Sequence, residues 1–251
     1  MEVSLLPDER IDDLQRNGYR IIQNKKGFCF GMDAVLLSGF VSTALEGRCS
    51  ETTRILDLGT GTGIIPILLR AKTKSRNLTG LEIQESVAHM AKRSVDLNDL
   101  ADSVKIVQGD ICQASSIFGK STFDIVTSNP PYMKPQGGLT NSEDEKAISR
   151  HELKCTFADV AREAAAVLKP GGKFFLVHRP ERLTEIFNLL HENKLEIKRM
   201  RMVHSYKDSQ ATMVLIEATL GGNVFMKVEE PLIIYKDVNK YTDEILEIYS
   251  F

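Results

Sequence analysis

The sequence predicts an α/β protein built on a doubly wound, mostly parallel sheet that ends in an antiparallel hairpin. Three observations lead there. Short apolar runs alternate with helical segments along most of the chain; the first long run ends in a glycine-rich turn; and two late strand-like runs flank the polar turn Lys207-Asp208-Ser209-Gln210. Strand–helix alternation produces crossover connections and therefore parallel neighbours. A short polar turn joins only antiparallel ones.

The elements follow in order. Residues 1–50 form an N-terminal extension in which the stretch Lys25-Lys26-Gly27-Phe28-Cys29-Phe30-Gly31-Met32-Asp33 precedes a small apolar helix. Thr53 to Leu58 reads as a buried strand, followed by glycines and a helix from Ile64. Leu78 to Ile83 is a second strand, and Glu85 to Asn98 an amphipathic helix with Val87, Met90, Ala91 and Val95 on one face. Val104 to Val107 and Phe123 to Thr127 are the third and fourth strands; the prolines of Ser128-Asn129-Pro130-Pro131-Tyr132 force the chain out of the sheet. Met133 to Glu152 is polar and reads as a long loop, of a length that compact domains reserve for function or leave disordered. Thr156 is a candidate N-cap for a helix to Leu168, with Lys169-Pro170-Gly171-Gly172 as its stop and turn. Lys173 to Val177 is a fifth strand and Glu181 to Asn193 a helix. Glu196 to Val203 and Thr212 to Ala218 form the hairpin that completes a core spanning residues 51–220. Residues 221–251 add a strand at Leu232 to Tyr235 and a helix after Thr242, all within one domain.

Composition excludes some classes. At 251 residues, 42% hydrophobic and 26% charged, the chain has the balance of a soluble globular protein. No apolar run approaches the roughly 18 residues of a membrane helix. The N-terminus lacks the basic-then-apolar pattern of a secretory leader. Cys29, Cys49, Cys112 and Cys155 are scattered without a metal or redox spacing, which suits a reducing cytoplasm. The five histidines show no ligand spacing, so no metal is expected. A net charge of −2 argues against a protein that coats long duplexes, but not against one that grips a single RNA locally.

The chemistry begins at Asp57-Leu58-Gly59-Thr60-Gly61-Thr62-Gly63. Glycines between a strand and a helix let the backbone turn sharply and approach a ligand. The spacing Gly59, Gly61, Gly63 is not that of dinucleotide sites, which disfavours a nicotinamide-dependent oxidoreductase. Glu82, about twenty residues on, stands where an acid accepts both ribose hydroxyls, with Ile83 beside it. Asp57 would repel a pyrophosphate but attract the amino group and sulfonium of S-adenosylmethionine. Asp110 either accepts from the cofactor's adenine amine, with Ile111 packed on the ring, or simply caps a helix. Phe30 either closes over the methionine end as part of a lid or belongs to the core.

Asn129-Pro130-Pro131-Tyr132 carries the reaction. An aromatic exocyclic amine is a poor nucleophile because its lone pair is delocalised into the ring. The Asn129 side-chain carbonyl and the Pro130 backbone carbonyl can each accept one amino N–H and hold the nitrogen in line with a methyl donor. Pro131 stiffens the turn, and Tyr132 offers a face for an extruded base. Lys25, Lys26, Arg150, His151, Arg179, Arg182, Lys198, Arg199 and Arg201 form a weak set of candidate RNA contacts.

Together these motifs resemble the class I methyltransferases that act on exocyclic amines. With Phe28 to Leu37, Ser149-Arg150-His151-Glu152 and Val177-His178-Arg179-Pro180, the chain is similar to the bacterial tRNA(Val) adenine-N6-methyltransferase family over nearly its whole length. The resemblance implies a Rossmann-like sheet of seven strands with one antiparallel member, S-adenosylmethionine as cofactor, and a flipped tRNA adenine beside the anticodon as substrate. A monomer is assumed. The competing readings are a glutamine-amide methyltransferase acting on a translation factor, and a noncatalytic RNA-binding protein on the same scaffold. The first usually carries an extra N-terminal helical domain, for which residues 1–50 look too short.

Overall fold

The computed structural model describes residues 4–26, 31–130 and 155–250. The chain opens with a hairpin of β1 (Glu9–Asp13) and β2 (Arg20–Asn24), then α1 (Met32–Leu45). The alternating core follows: β3 (Arg54–Leu58), α2 (Ile64–Lys72), β4 (Asn77–Glu82), α3 (Glu85–Leu97), β5 (Val104–Gln108), a 3-10 turn at Ile111–Gln113, α4 (Ala114–Phe118) and β6 (Phe123–Ser128). After α5 (Phe157–Val167) come β7 (Leu168–His178), a 3-10 turn at Pro180–Arg182, α6 (Leu183–Glu192), β8 (Leu195–His204) and β9 (Ala211–Leu220). The tail consists of β10 (Lys227–Val228), β11 (Leu232–Ile233), β12 (Tyr235–Asp237), β13 (Lys240–Tyr241) and α7 (Asp243–Ser250).

The main sheet runs β10-β8-β9-β7-β6-β3-β4-β5, with β11 also on β8. It has nine strands where seven were expected, because the two-residue β10 and β11 pair in parallel with β8. Among the seven longer strands only β9 is antiparallel to its neighbours, as the resemblance implied. Alternation along each strand feeds two cores. Ile55, Phe175 and Val177 pack with α1, α2 and α3, whereas Leu56, Phe174 and Leu176 pack with α5 and α6. Strands buried on both faces must be apolar throughout, which is why these runs lack polar alternation.

Three local expectations differ from the structure. The N-terminal hairpin was not anticipated; it docks on α3, where Ser94 Oγ accepts the Ile22 amide at 3.0 Å and Asn98 both accepts from and donates to the Arg20 backbone. On α3 itself Ala88, not Val87, lies fully buried beside Met90, Ala91 and Val95. Lys169 to Gly172 is not a turn after a helix: α5 runs straight into β7, and the four residues form a bulge between the Phe123–Leu168 and Ile125–Lys173 pairs. Gly172 is pressed against β6 there, since a Cβ on it would lie 3.0 Å from the Asp124 carbonyl oxygen. Thr156 does cap α5, in a reciprocal capping box with Asp159.

Candidate functional site

The parallel strands reverse their order between β3 and β6, and the crevice beyond their carboxyl ends is where open α/β sheets bind ligands. Gly59, Gly61 and Gly63 adopt φ of 74°, 56° and 85°, a region costly for any side chain. The turn hangs from β4: the amides of Gly59 and Thr60 both donate to the Leu81 carbonyl at 2.9 Å. A Cβ on Gly61 would meet nothing within 4 Å, so this stretch of backbone faces open space. One on Gly63 would lie 3.3 Å from Ala91 Cβ, which is how α2 packs close to α3.

Asp57 sits beneath the turn, 1% exposed. Its Oδ1 accepts from the Thr127 hydroxyl of β6 at 2.7 Å. Its Oδ2 and the Thr60 hydroxyl are buried close together without a well-formed hydrogen bond. Desolvation pushes the Asp57 carboxyl up to about 7, helped by the charge of Glu82 and opposed by the hydroxyls of Thr127 and, more weakly, nearby Thr60. A buried carboxylate left with a spare acceptor asks for a cation or a donor.

Glu82, at the end of β4, accepts the Gly61 amide on Oε2 (3.0 Å) and the Gln84 amide on Oε1 (2.9 Å). Each oxygen keeps a lone pair for a further donor. Ile83 follows, half-buried. At the end of β5, Asp110 caps the 3-10 turn by accepting from the Cys112 amide at 2.9 Å. Of the two alternatives for this residue, the structure displays the cap, which occupies one of its oxygens. Ile111 reaches the glycine turn: a Cβ on Gly59 would lie 3.4 Å from its Cδ1.

Asn129 joins this group through strand register. Leu58 pairs with Ser128, and the Ser128 hydroxyl donates to the Leu58 carbonyl at 2.9 Å. Gly59 and Asn129 are therefore the first residues past the ends of two paired strands, which lie roughly 4.8 Å apart in a sheet. Asn129 and Pro130 are half-buried. Phe30, Pro131 and Tyr132 lie outside the described residues, as do Arg150, His151 and the whole of the 133–152 loop reading.

A family model of the methyltransferase small domain matches residues 34–202, from α1 through most of β8. The chain belongs to this family. A protein from Porphyromonas gingivalis named tRNA1(Val) (adenine(37)-N6)-methyltransferase is 27% identical over 189 residues, covering 74% of this chain and 72% of its own. One of the same name from Bacteroides thetaiotaomicron is 26% identical over 231 residues, 92% of each chain. Among solved structures, a protein from Agrobacterium tumefaciens described as a predicted O-methyltransferase superposes with a TM-score of 0.67 at 23% identity, over 87% of this chain and 95% of that one. That likeness is one of fold.

In the structure of this methyltransferase several of the candidate RNA contacts are engaged in ion pairs within the chain. Arg199 packs over the Phe40 ring at 3.9 Å and pairs with Glu217 (2.9 Å) and Glu229, with Lys173 also on Glu217. Arg201 is paired with Glu244, Arg182 with Glu185, and Lys26 with Asp8. Both arginines are half-buried on a half-exposed strand, with their charged ends taken up by the β9 and tail carboxylates.

Two features escaped the sequence reading. His178, at the end of β7, is fully buried edge-on to Phe157, accepts the Arg179 amide at 2.7 Å, and is depressed to about 4 by burial, so it is neutral at physiological pH. Cys112, Cys155 and Asp159 bring ligand-type atoms within 4.8 Å of one another although 43 residues separate the cysteines. Burial raises both thiols, and both Asp159 oxygens already serve Thr156 and Arg162. No helix among the described residues is long and apolar enough to cross a membrane.

Proposed function

We propose that the chain transfers the methyl group of S-adenosylmethionine to the exocyclic N6 amine of a flipped adenine in tRNA, beside the anticodon. One observation carries this reading: the residue pair that would grip the amine, Asn129 and Pro130, begins at the strand end next to the glycine turn. The names of the Porphyromonas and Bacteroides relatives support the choice of an adenine in tRNA. Such a substrate points to the cytoplasm, and the proposal is of a chain acting as a monomer.

The residues present fit the cofactor. Asp57 Oδ2 and the Thr60 hydroxyl, buried without a well-formed hydrogen bond, suit a cationic, hydrogen-bonding ligand, and Glu82 retains acceptor capacity for a ribose diol. Ile83 and Ile111 supply apolar surface for a purine, and Asp110 an acceptor for its amine. Bound there, S-adenosylmethionine supplies an electrophilic methyl group on sulfonium. Asn129 and Pro130 act on the acceptor: their carbonyls orient the amine and draw its protons, raising electron density on nitrogen. Tyr132 stacks on the extruded base, an interaction of about 1–3 kcal/mol. No strong general base is required, because the amine becomes acidic as it acquires the methyl group.

The burial of Asp57 has a pH consequence. With its carboxyl at about 7, the neutral form dominates in acid and repels no anion but attracts no cation. Binding of cationic S-adenosylmethionine favours the ionised form, so affinity rises from pH 5.5 to 7, by up to about tenfold per pH unit at the limit. Calorimetry across that range should show the rise in the wild type and a flat profile in Asp57→Asn.

The decisive experiment incubates the protein with unmodified total tRNA and methyl-labelled S-adenosylmethionine, followed by nucleoside analysis. Label in N6-methyladenosine is the expected outcome. Label in a guanosine, or in a protein glutamine when a translation factor is offered instead, would overturn the assignment.

A further inference from the structure

Four tyrosines stack in series at the rim of the sheet. The ring centroids of Tyr206, Tyr235, Tyr241 and Tyr249 lie 5.5, 5.2 and 5.8 Å apart in succession, and the last two pairs are within 17° of parallel. Tyr249 on α7 forms the inner end, packed against the apolar core under α1. Tyr206 forms the outer end, 43% exposed, with Tyr235 behind it.

The segment that presents Tyr206 is fixed rather than loose. The Tyr206 amide donates to Ser209 Oγ at 3.0 Å, and the Ser209 hydroxyl and amide both return to the Tyr206 carbonyl, at 2.8 and 3.0 Å. The Ser209 carbonyl meets His204 Nδ1 at 2.7 Å, and the Tyr235 amide donates to the Ser205 carbonyl at 2.9 Å. An aromatic ring held this way loses little freedom when a second ring lies on it.

Its location matches the proposed substrate. β8 runs in the same direction as β6, so Tyr206 and Asn129 both lie beyond carboxyl ends of strands, on one rim of the sheet. Three strand spacings separate β6 from β8, roughly 14 Å, and the registers set Arg201 level with Asn129, so Tyr206 stands five residues, roughly 16 Å, further along the strand direction. The two sites are thus roughly 22 Å apart, or about six stacked-base rises of 3.4 Å. Exposed Lys207 follows Tyr206, and exposed Arg179 lies on the same rim with its guanidinium on the Thr212 carbonyl at 2.8 Å. Asp208 is also exposed here, so the surface is mixed in charge. Attraction there comes chiefly from the ring.

We propose that Tyr206 is an RNA-stacking platform on which a nucleobase several nucleotides from the target adenine lies, extending the tyrosine series by one ring. This rests on the RNA reading given above. The three inner tyrosines anchor the C-terminal helix; the outermost one is the face left for a base. Any π-face will stack, so the contact sets position along the RNA rather than sequence.

The test uses the full chain, an unmodified tRNA transcript and single-stranded oligoadenylate. Tyr206→Ala should raise KM for the transcript about five- to a hundredfold, with the loss falling on KM rather than kcat and with little change in its salt dependence. Tyr206→Phe should keep the wild-type KM, since stacking needs the ring and not the hydroxyl. The chain has six tyrosines and no tryptophan, so tyrosine emission gives a second readout. Oligoadenylate should quench part of it in the wild type, and Tyr206→Phe should bind equally well without that part, which decides the matter even if Tyr206→Ala fails to fold. An unchanged KM in Tyr206→Ala, or an unchanged quench in Tyr206→Phe, overturns the platform alone. A wild type that neither binds nor methylates RNA overturns the proposed function with it.

Discussion

Replacing Asn129 by alanine is expected to lower kcat for methyl transfer about 10²–10³-fold, the scale on which deleting one preorganised polar group acts elsewhere. Affinity for S-adenosylhomocysteine should stay within about twofold by the same reasoning, because binding shared by ground and transition states lies with other residues. The separation follows from position. The glycine turn is supported by Leu81 and Glu82 on β4, whereas Asn129 leaves β6 on the opposite side of β3. On the proposed geometry, removing its carbonyl leaves the turn intact but takes from the amine one of two acceptors. Steady-state kinetics with tRNA beside calorimetry with S-adenosylhomocysteine measure both quantities. Equal losses in the two would mean that Asn129 supports the fold of the crevice and not the reaction.

Glu82→Ala is expected to weaken S-adenosylhomocysteine by at least about a hundredfold, since hydrogen bonds to a charged group contribute about 1.5–3 kcal/mol each. The carboxylate has two duties. Its Oε2 holds the Gly61 amide, fixing a turn whose three glycines stand at positive φ, and its remaining lone pairs would accept from a ribose. Glu82→Gln should fall between wild type and alanine, because one amide oxygen can still serve the turn while the NH₂ cannot accept. An S-adenosylhomocysteine dissociation constant unaltered in Glu82→Ala would remove this residue from the site.

The glycine turn was legible in sequence because a positive φ at Gly59, Gly61 and Gly63 is a property of the residues themselves. The cap at Thr156 was legible for the same reason: its partner Asp159 is three residues away. Asp57 and Asn129 could be placed on strand ends, and the alternation of the runs brought those ends to one crevice. What stayed hidden depends on register and on distant partners. Arg199 lies opposite Glu217 in the β8–β9 ladder, and no local pattern announces that pairing. The β1–β2 hairpin carried a signal, the Asn17-Gly18 pair with both residues at positive φ, but its short charged runs look like solvated coil until Ser94 and Asn98 are in place. At Lys169 to Gly172 the local grammar of Pro and Gly indicated a turn, yet close approach to Asp124 made it a bulge.

The two ties across β3 and β6, Thr127 to Asp57 and Ser128 to Leu58, bear on how the enzyme would keep time between its halves. They rivet the last residues of β3 and of β6 to a common girder, so neither strand end can shift by much without dragging the other. Alignment of donor and acceptor would then be inherited once, at folding, instead of being rebuilt in every catalytic cycle. In such an arrangement only the nucleobase has to travel.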